Sequence, residues 1–338
     1  MNNVKEKRPY RVDEKILHRF DQRCNVFGRL IHDSSAPFFK KGMYDEVKNI
    51  VEEKKEGYSR EDFAMVLGSW TAYDYYHQAF SWTEPSDANN IMKKPIFPKY
   101  EIDNLNAFTA RFKQSVYFFG ADLVGVTKVD DNWLYDCDLK GKKIEIPRGV
   151  NSAVVFAVKM NPENMMKSPS FVACAETGLA YSKLAFLLGC ISEYIRRLGY
   201  VALPMGNDSA LSIPLAIDAG LGELGRNGLL ITPEFGPCVR LAKVLTDLPL
   251  SFDSPKTFGV EEFCKTCLKC ADSCEADAIQ TEKEPSFKKS CESNSSGVFR
   301  WAVNHDKCYE FWIKNGGECS NCIVACPFFK KAVEKNSF

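Results

Sequence analysis

Cys264-Lys265-Thr266-Cys267-Leu268-Lys269-Cys270-Ala271-Asp272-Ser273-Cys274 decides how this sequence is read, together with Cys308 and Cys319-Ser320-Asn321-Cys322-Ile323-Val324-Ala325-Cys326-Pro327. Eight of the 14 cysteines in the 338-residue chain fall in these two runs. A chain this long does not need cross-links to complete its core, and CxxC steps place thiols side by side on one loop, which suits metal thiolates better than disulfides. Zinc takes such pairs readily. Eight thiolates in two runs match better the four that each iron–sulfur cube requires. Cys24, Cys137, Cys174, Cys190, Cys238 and Cys291 fit no ligand spacing and read as free thiols.

The first run has the CxxCxxCxxxC spacing of bacterial ferredoxins, in which the fourth cysteine of each run crosses to the other cluster. That rule assigns Cys264, Cys267, Cys270 and Cys326 to one 4Fe-4S cluster and Cys274, Cys308, Cys319 and Cys322 to a second. Glu275 stands where ferredoxins usually carry proline, a difference that bears on turn geometry and not on ligation. A double-cluster module delivers electrons one at a time, so the rest of the chain must hold their acceptor.

Outward from the cysteines, Lys+Arg and Asp+Glu are 44 each, and this zero net charge offers no global field for nucleic acid or anionic lipid. No apolar run reaches the roughly 18 to 20 residues of a membrane helix. The N-terminus has no apolar export segment, so a cytoplasmic location is expected; an exported or membrane-associated location applies if a twin-arginine leader was removed. Residues 1–104 read as a helical region whose aromatics, among them Trp70, Tyr73, Tyr75, Tyr76, Phe80 and Trp82, cap a core. Residues 105–257 alternate strands (122–129, 153–160, 201–204, 228–231 and 239–247) with helices, one of them over 180–198 and ending at Gly199, which argues an α/β core. Residues 258–338 form the ferredoxin-like part.

Gly220-Leu221-Gly222-Glu223-Leu224-Gly225 matches a dinucleotide fingerprint in letters only, since it follows a helix and not a strand. None of His18, His32, His77 or His305 sits in a DxHxxG corrinoid motif. The stretch from Ile213 to Pro237, with Arg240 and Thr246-Asp247-Leu248-Pro249-Leu250, closely resembles corrinoid-dependent reductive dehalogenases, as do Leu198 to Pro204, the CxxCxxxCPF ending and, more loosely, Arg19 to Gly28. The resemblance implies a nitroreductase-like α/β (α+β) core holding cobalamin or another cobamide base-off, without a protein histidine, and fed by the two clusters. It also implies replacement of a halogen by hydrogen on a small organohalide, with an external low-potential donor (ferredoxin, flavodoxin or a membrane protein), no nucleic acid and a possible homodimer.

On the same resemblance the proton donor falls on Tyr181, with Asn207 and Arg240 completing the catalytic set. The chemistry agrees: a tyrosine ionises near about 10, and a neighbouring guanidinium favours the tyrosinate. Trp70, Trp82 and Trp301 are candidates for an apolar pocket. Two other functions compete: an epoxyqueuosine reductase acting on tRNA, for which a basic face is expected, and a non-catalytic iron–sulfur electron carrier.

Overall fold

The structure, a computed structural model, describes residues 9–75 and 98–335. Tyr76, His77, Phe80 and Trp82 lie outside the described residues. In chain order the strands are β1 (Leu123–Lys128), β2 (Ser152–Lys159), β3 (Ala202–Met205), β4 (Glu223–Leu224), β5 (Leu230–Ile231) and β6 (Val239–Thr246). Four of them make one sheet in the order β1-β2-β6-β3, and β4 and β5 pair separately. Every pairing in the large sheet is antiparallel, with Val126 opposite Val154, Val154 opposite Val244 and Leu203 opposite Leu245. The alternation of strands and helices along the chain therefore produces the α+β form and not a parallel wound sheet.

Strand β2 is buried almost throughout because helices cover both faces of the sheet. On one face Val154, Phe156, Ala242 and Val244 meet helix α4 (Leu105–Phe119) and Leu184, Leu188 and Ile191 of helix α6 (Phe171–Arg197). On the other face Val155, Ala157, Leu241 and Leu245 meet Leu215, Ala216 and Ile217 of helix α7 (Ser212–Asp218). The helices not yet placed before these are α1 (Val26–His32), α2 (Val47–Glu52), α3 (Arg60–Asp74) and the short α5 (Pro162–Met165).

Helix α6 differs from expectation at its start. It begins at Phe171 and not near Ala180, because Glu176 is buried as a tertiary tie, accepting from the Asn161 N–H and from Asn164 Nδ2, both at 2.8 Å. At the other end Gly199, with φ +86°, stops it as expected. The extra turns also make α6 long and apolar enough to cross a membrane by length and composition, which corrects the expectation that no run reaches that size. Here it is the central core helix.

The N-terminal helices pack on α6 through Val47, Ile50, Val66, Phe171 and Cys174. The cysteine runs ride on α8 (Val260–Thr266), α9 (Lys269–Asp272), α10 (His305–Asn315), α11 (Asn321–Val324) and α12 (Pro327–Glu334). Val260, Ile323 and Phe329 of that segment bury themselves against Met160, Met165, Ala180 and Ile231 of the core. Arg29, 7% exposed, pairs locally with Asp33 at 2.7 Å and ties the N-terminal region to α10 through Asp306 at 2.5 Å.

Candidate active site

Between α3, the α6 face of the sheet and the cysteine segment lies a cavity of about 1050 Å³, at the upper end of the usual range for ligand pockets. Tyr181, Asn207 and Arg240, separated by up to 59 positions in sequence, all line it. Tyr181 projects from α6, Asn207 from the loop after β3, and Arg240 from β6 on the face that also carries Ala242 and Val244.

The Tyr181 hydroxyl oxygen accepts from Asn207 Nδ2 at 2.7 Å, and Arg240 Cζ lies 5.7 Å from the Tyr181 ring centroid. Arg240 Nη2 donates to the buried Thr177 hydroxyl at 3.2 Å, one turn before Tyr181 on the same helix. Trp70 stacks on Tyr181 with centroids 5.1 Å apart and planes 22° apart, and Tyr73 closes the other side at 5.0 Å. Gly178 makes the stack possible: a Cβ there would stand 2.6 Å from the Trp70 ring. This accounts for a glycine inside a helix, where it costs about 1 kcal/mol against alanine. Burial pushes the Tyr73 hydroxyl well above the ordinary range, so it stays protonated beside Tyr181.

Asn207 is held by the opposite face of the same strand that carries Arg240. Lys243, wholly buried, donates from Nζ to the carbonyls of Gly206 and Ala210, each at 2.6 Å, to that of Asp208 at 3.2 Å and to the Ser212 hydroxyl at 3.0 Å. Burial lowers the ammonium to about 8, still charged near neutrality. The loop reverses at Ser209 with φ +64°, a conformation that needs such support. Lys243→Met keeps the volume but leaves buried carbonyls without a donor, and is expected to cost about 2 kcal/mol. Denaturant unfolding checks this; an unchanged midpoint would show that the loop orders itself without the ammonium.

Thiols of the two cysteine runs lie close enough to act on one another. Cys270 is pushed up to about 12 by burial first and then by the nearby thiols of Cys264, Cys326 and Cys267. Cys326, up to about 11 by burial, also feels Cys264 and Cys267, while the Phe328 and Phe329 N–H groups at the start of α12 point at its sulfur and favour the thiolate. Burial raises Cys308 to about 12, with Cys319 and Cys274 adding to it. Cys322 is driven far up by burial and then by Cys308, Cys319, Cys270 and Cys274, so its thiol neighbours come from both runs. Among the described residues no three His, Cys, Asp or Glu side chains converge as a single ion demands.

A family model described as reductive dehalogenase subunit matches residues 107–250. A tetrachloroethene reductive dehalogenase of Desulfitobacterium hafniense is 33% identical over 81% of this chain and 63% of its own. Another, from Sulfurospirillum multivorans, is 32% identical over 87% of this chain and 68% of its own. The chain belongs to the reductive dehalogenase family. It spans less than two thirds of the length of the Desulfitobacterium relative. A solved reductive dehalogenase, described through B12-dependent dehalogenation, shares the fold at a TM-score of 0.75 with 22% identity, over 98% of this chain and 45% of that one.

Within this family member the three site residues named from sequence meet at one cavity. Trp70 lines it too, whereas Trp301 does not: it lies in the cysteine segment against Arg226. Sequence reasoning missed Thr177, Tyr73, Trp312 and Glu318, all of which line the cavity. Glu318, 5% exposed and with its carboxyl raised by burial, directly precedes Cys319. Cys174 is more than a filler thiol, since its Sγ donates to the Glu318 carbonyl at 3.0 Å. The GxG before Glu223 carried a hint of packing, because a Cβ on Gly222 would stand 2.2 Å from the Ile231 carbonyl.

Proposed function

We propose that this protein is a reductive dehalogenase that replaces a halogen on a small organohalide by hydrogen, using a cobamide in the cavity and two 4Fe-4S clusters on the eight cysteines. The observation that carries the reading is that one cavity is walled by Tyr181, Asn207 and Arg240 and by Glu318, whose neighbour in sequence is Cys319. Protons and electrons therefore reach the same space.

The residues present suit both groups. Arg240 Nε, Trp70 Nε1, Trp312 Nε1 and Glu318 Oε2 are buried at the cavity wall without a protein partner, and a macrocycle fringed with amides supplies partners of both kinds. Among the described residues lining the cavity there is no histidine, and we read the cobamide as base-off. Thiols that influence one another without converging suit the separate corners of a cube better than a zinc ion. When bound, the cobamide would supply the two-electron chemistry that breaks the carbon–halogen bond, and the clusters would supply its electrons singly.

The chain's own part is the proton. The overall change consumes two electrons and one proton and releases halide. Tyr181 gives its hydroxyl proton towards the cavity, where Trp70 and Tyr73 hold the ring. The Asn207 amide, already donating to the phenolic oxygen, and the Arg240 guanidinium both stabilise the charge left behind. The route for electrons runs from Cys264, Cys267, Cys270 and Cys326 through the Cys322 junction to the group containing Cys319. We read residues 1–104, 105–257 and 258–338 as helical, nitroreductase-like and ferredoxin-like parts, with a low-potential ferredoxin, flavodoxin or membrane protein as donor.

Anaerobic reconstitution followed by turnover of an aryl- and alkyl-halide panel tests the function. About eight iron and eight acid-labile sulfide per chain are expected, with halide release from at least one member. Bound zinc without sulfide, or fully loaded protein that releases no halide, would overturn the reading.

A further inference from the structure

Arg226 is a buried cation that the cavity chemistry does not use. It lies in the turn Leu224-Gly225-Arg226-Asn227-Gly228 between β4 and β5 and is 1% exposed. Its guanidinium leaves the core and enters the cysteine segment. Nε and Nη2 donate to the Cys264 carbonyl at 3.0 and 2.6 Å, and Nη1 donates to the carbonyls of Gln280 and Glu282, each at 2.8 Å. Trp301 covers it, with Cζ 4.4 Å from the ring centroid, while the indole Nε1 donates to the same Glu282 carbonyl at 2.8 Å.

Among the described residues Arg226 has no carboxylate at ion-pair distance. The buried acid nearest in sequence, Glu223, instead accepts from the N–H groups of Phe258 and Val260. A guanidinium sealed from water with only carbonyl dipoles around it is costly unless a negative charge stands nearby. Three donor groups fixed on carbonyls, including one on Cys264 itself, set where that charge must be. A cube of four irons and four sulfides on four thiolates is negative when oxidised and more so after gaining an electron.

We propose that Arg226 is the counter-charge and positioning residue of the cluster held by Cys264, Cys267, Cys270 and Cys326, and that it makes this cluster easier to reduce than it would otherwise be. The proposal rests on the cluster assignment above. Its action is purely electrostatic and geometric: the electron enters the cluster, the guanidinium keeps its proton, and no bond forms or breaks. Arg, not Lys, suits the place because its planar fork answers three carbonyls at once.

The test uses the reconstituted full chain and redox titration followed by electron paramagnetic resonance, after iron and sulfide analysis. Absence of clusters from the unaltered protein would strike the cluster assignment itself. With clusters present, Arg226→Gln is expected to make one cluster at least tenfold harder to reduce, 59 mV for one electron, and to leave the other unmoved. The moving signal must be the one that Cys267→Ser removes. Arg226→Lys, which keeps the charge, should lie near the unaltered protein. Loss of that one cluster alone in Arg226→Gln would also support the role. Two assembled clusters with neither potential moved, both moved alike, or general unfolding of both variants by circular dichroism would overturn it.

Discussion

Tyr181→Phe is expected to lower dehalogenation by roughly a hundred- to ten-thousandfold, the loss typical of a general acid, with iron, sulfide and corrinoid contents unchanged. The substitution removes one oxygen. It leaves the ring between Trp70 and Tyr73, so packing should survive. What disappears is the proton and the acceptor for Asn207 Nδ2, now 2.7 Å away. The loss should appear at the chemical step, so single-turnover measurement with pre-reduced protein is the informative assay. Arg240→Lys should act in the same direction, because a compact ammonium cannot both bond Thr177 and stay spread near the Tyr181 ring. Near-normal single-turnover rates in Tyr181→Phe at full cofactor loading would make this tyrosine a packing residue and move the proton source to water or another side chain.

The second large effect is expected from Cys319→Ser. This thiol directly follows Glu318 on the cavity wall, and the proposed assignment puts it with Cys274, Cys308 and Cys322. Its loss should take about four irons and four sulfides from the chain and end multiple turnover, because electrons would stop at the first cluster. The exposed Cys24 is the control, and Cys24→Ser should keep both clusters. Cys174 would not serve as a control, since its thiol bonds the Glu318 carbonyl beside Cys319. Multiple turnover at the unaltered rate in Cys319→Ser would remove this cysteine from the electron route.

The sequence by itself determined the elements whose signal is local. CxxC spacing is a property of neighbouring residues, so the two cysteine runs could be read without any knowledge of the fold. Strands β1, β2 and β6 were legible within a residue or two because an apolar run buried on both faces leaves little ambiguity. Gly199 announced the end of α6 because a left-handed residue is needed there. Tyr181, Asn207 and Arg240 were reachable only through family likeness, for nothing in their own neighbourhoods distinguishes them.

Tertiary structure decided the rest. The antiparallel order of the sheet depends on which edges meet, and alternating elements are compatible with either direction. The early start of α6 follows from Glu176 finding Asn161 and Asn164, partners that no periodicity reveals. Nothing in the sequence singles out Lys243 or Arg226, yet one is wholly buried and the other 1% exposed, each surrounded by backbone carbonyls from distant loops. The physical reason is common to all three: a charge tolerates burial only where long-range contacts satisfy it, and those contacts exist only once the chain has folded.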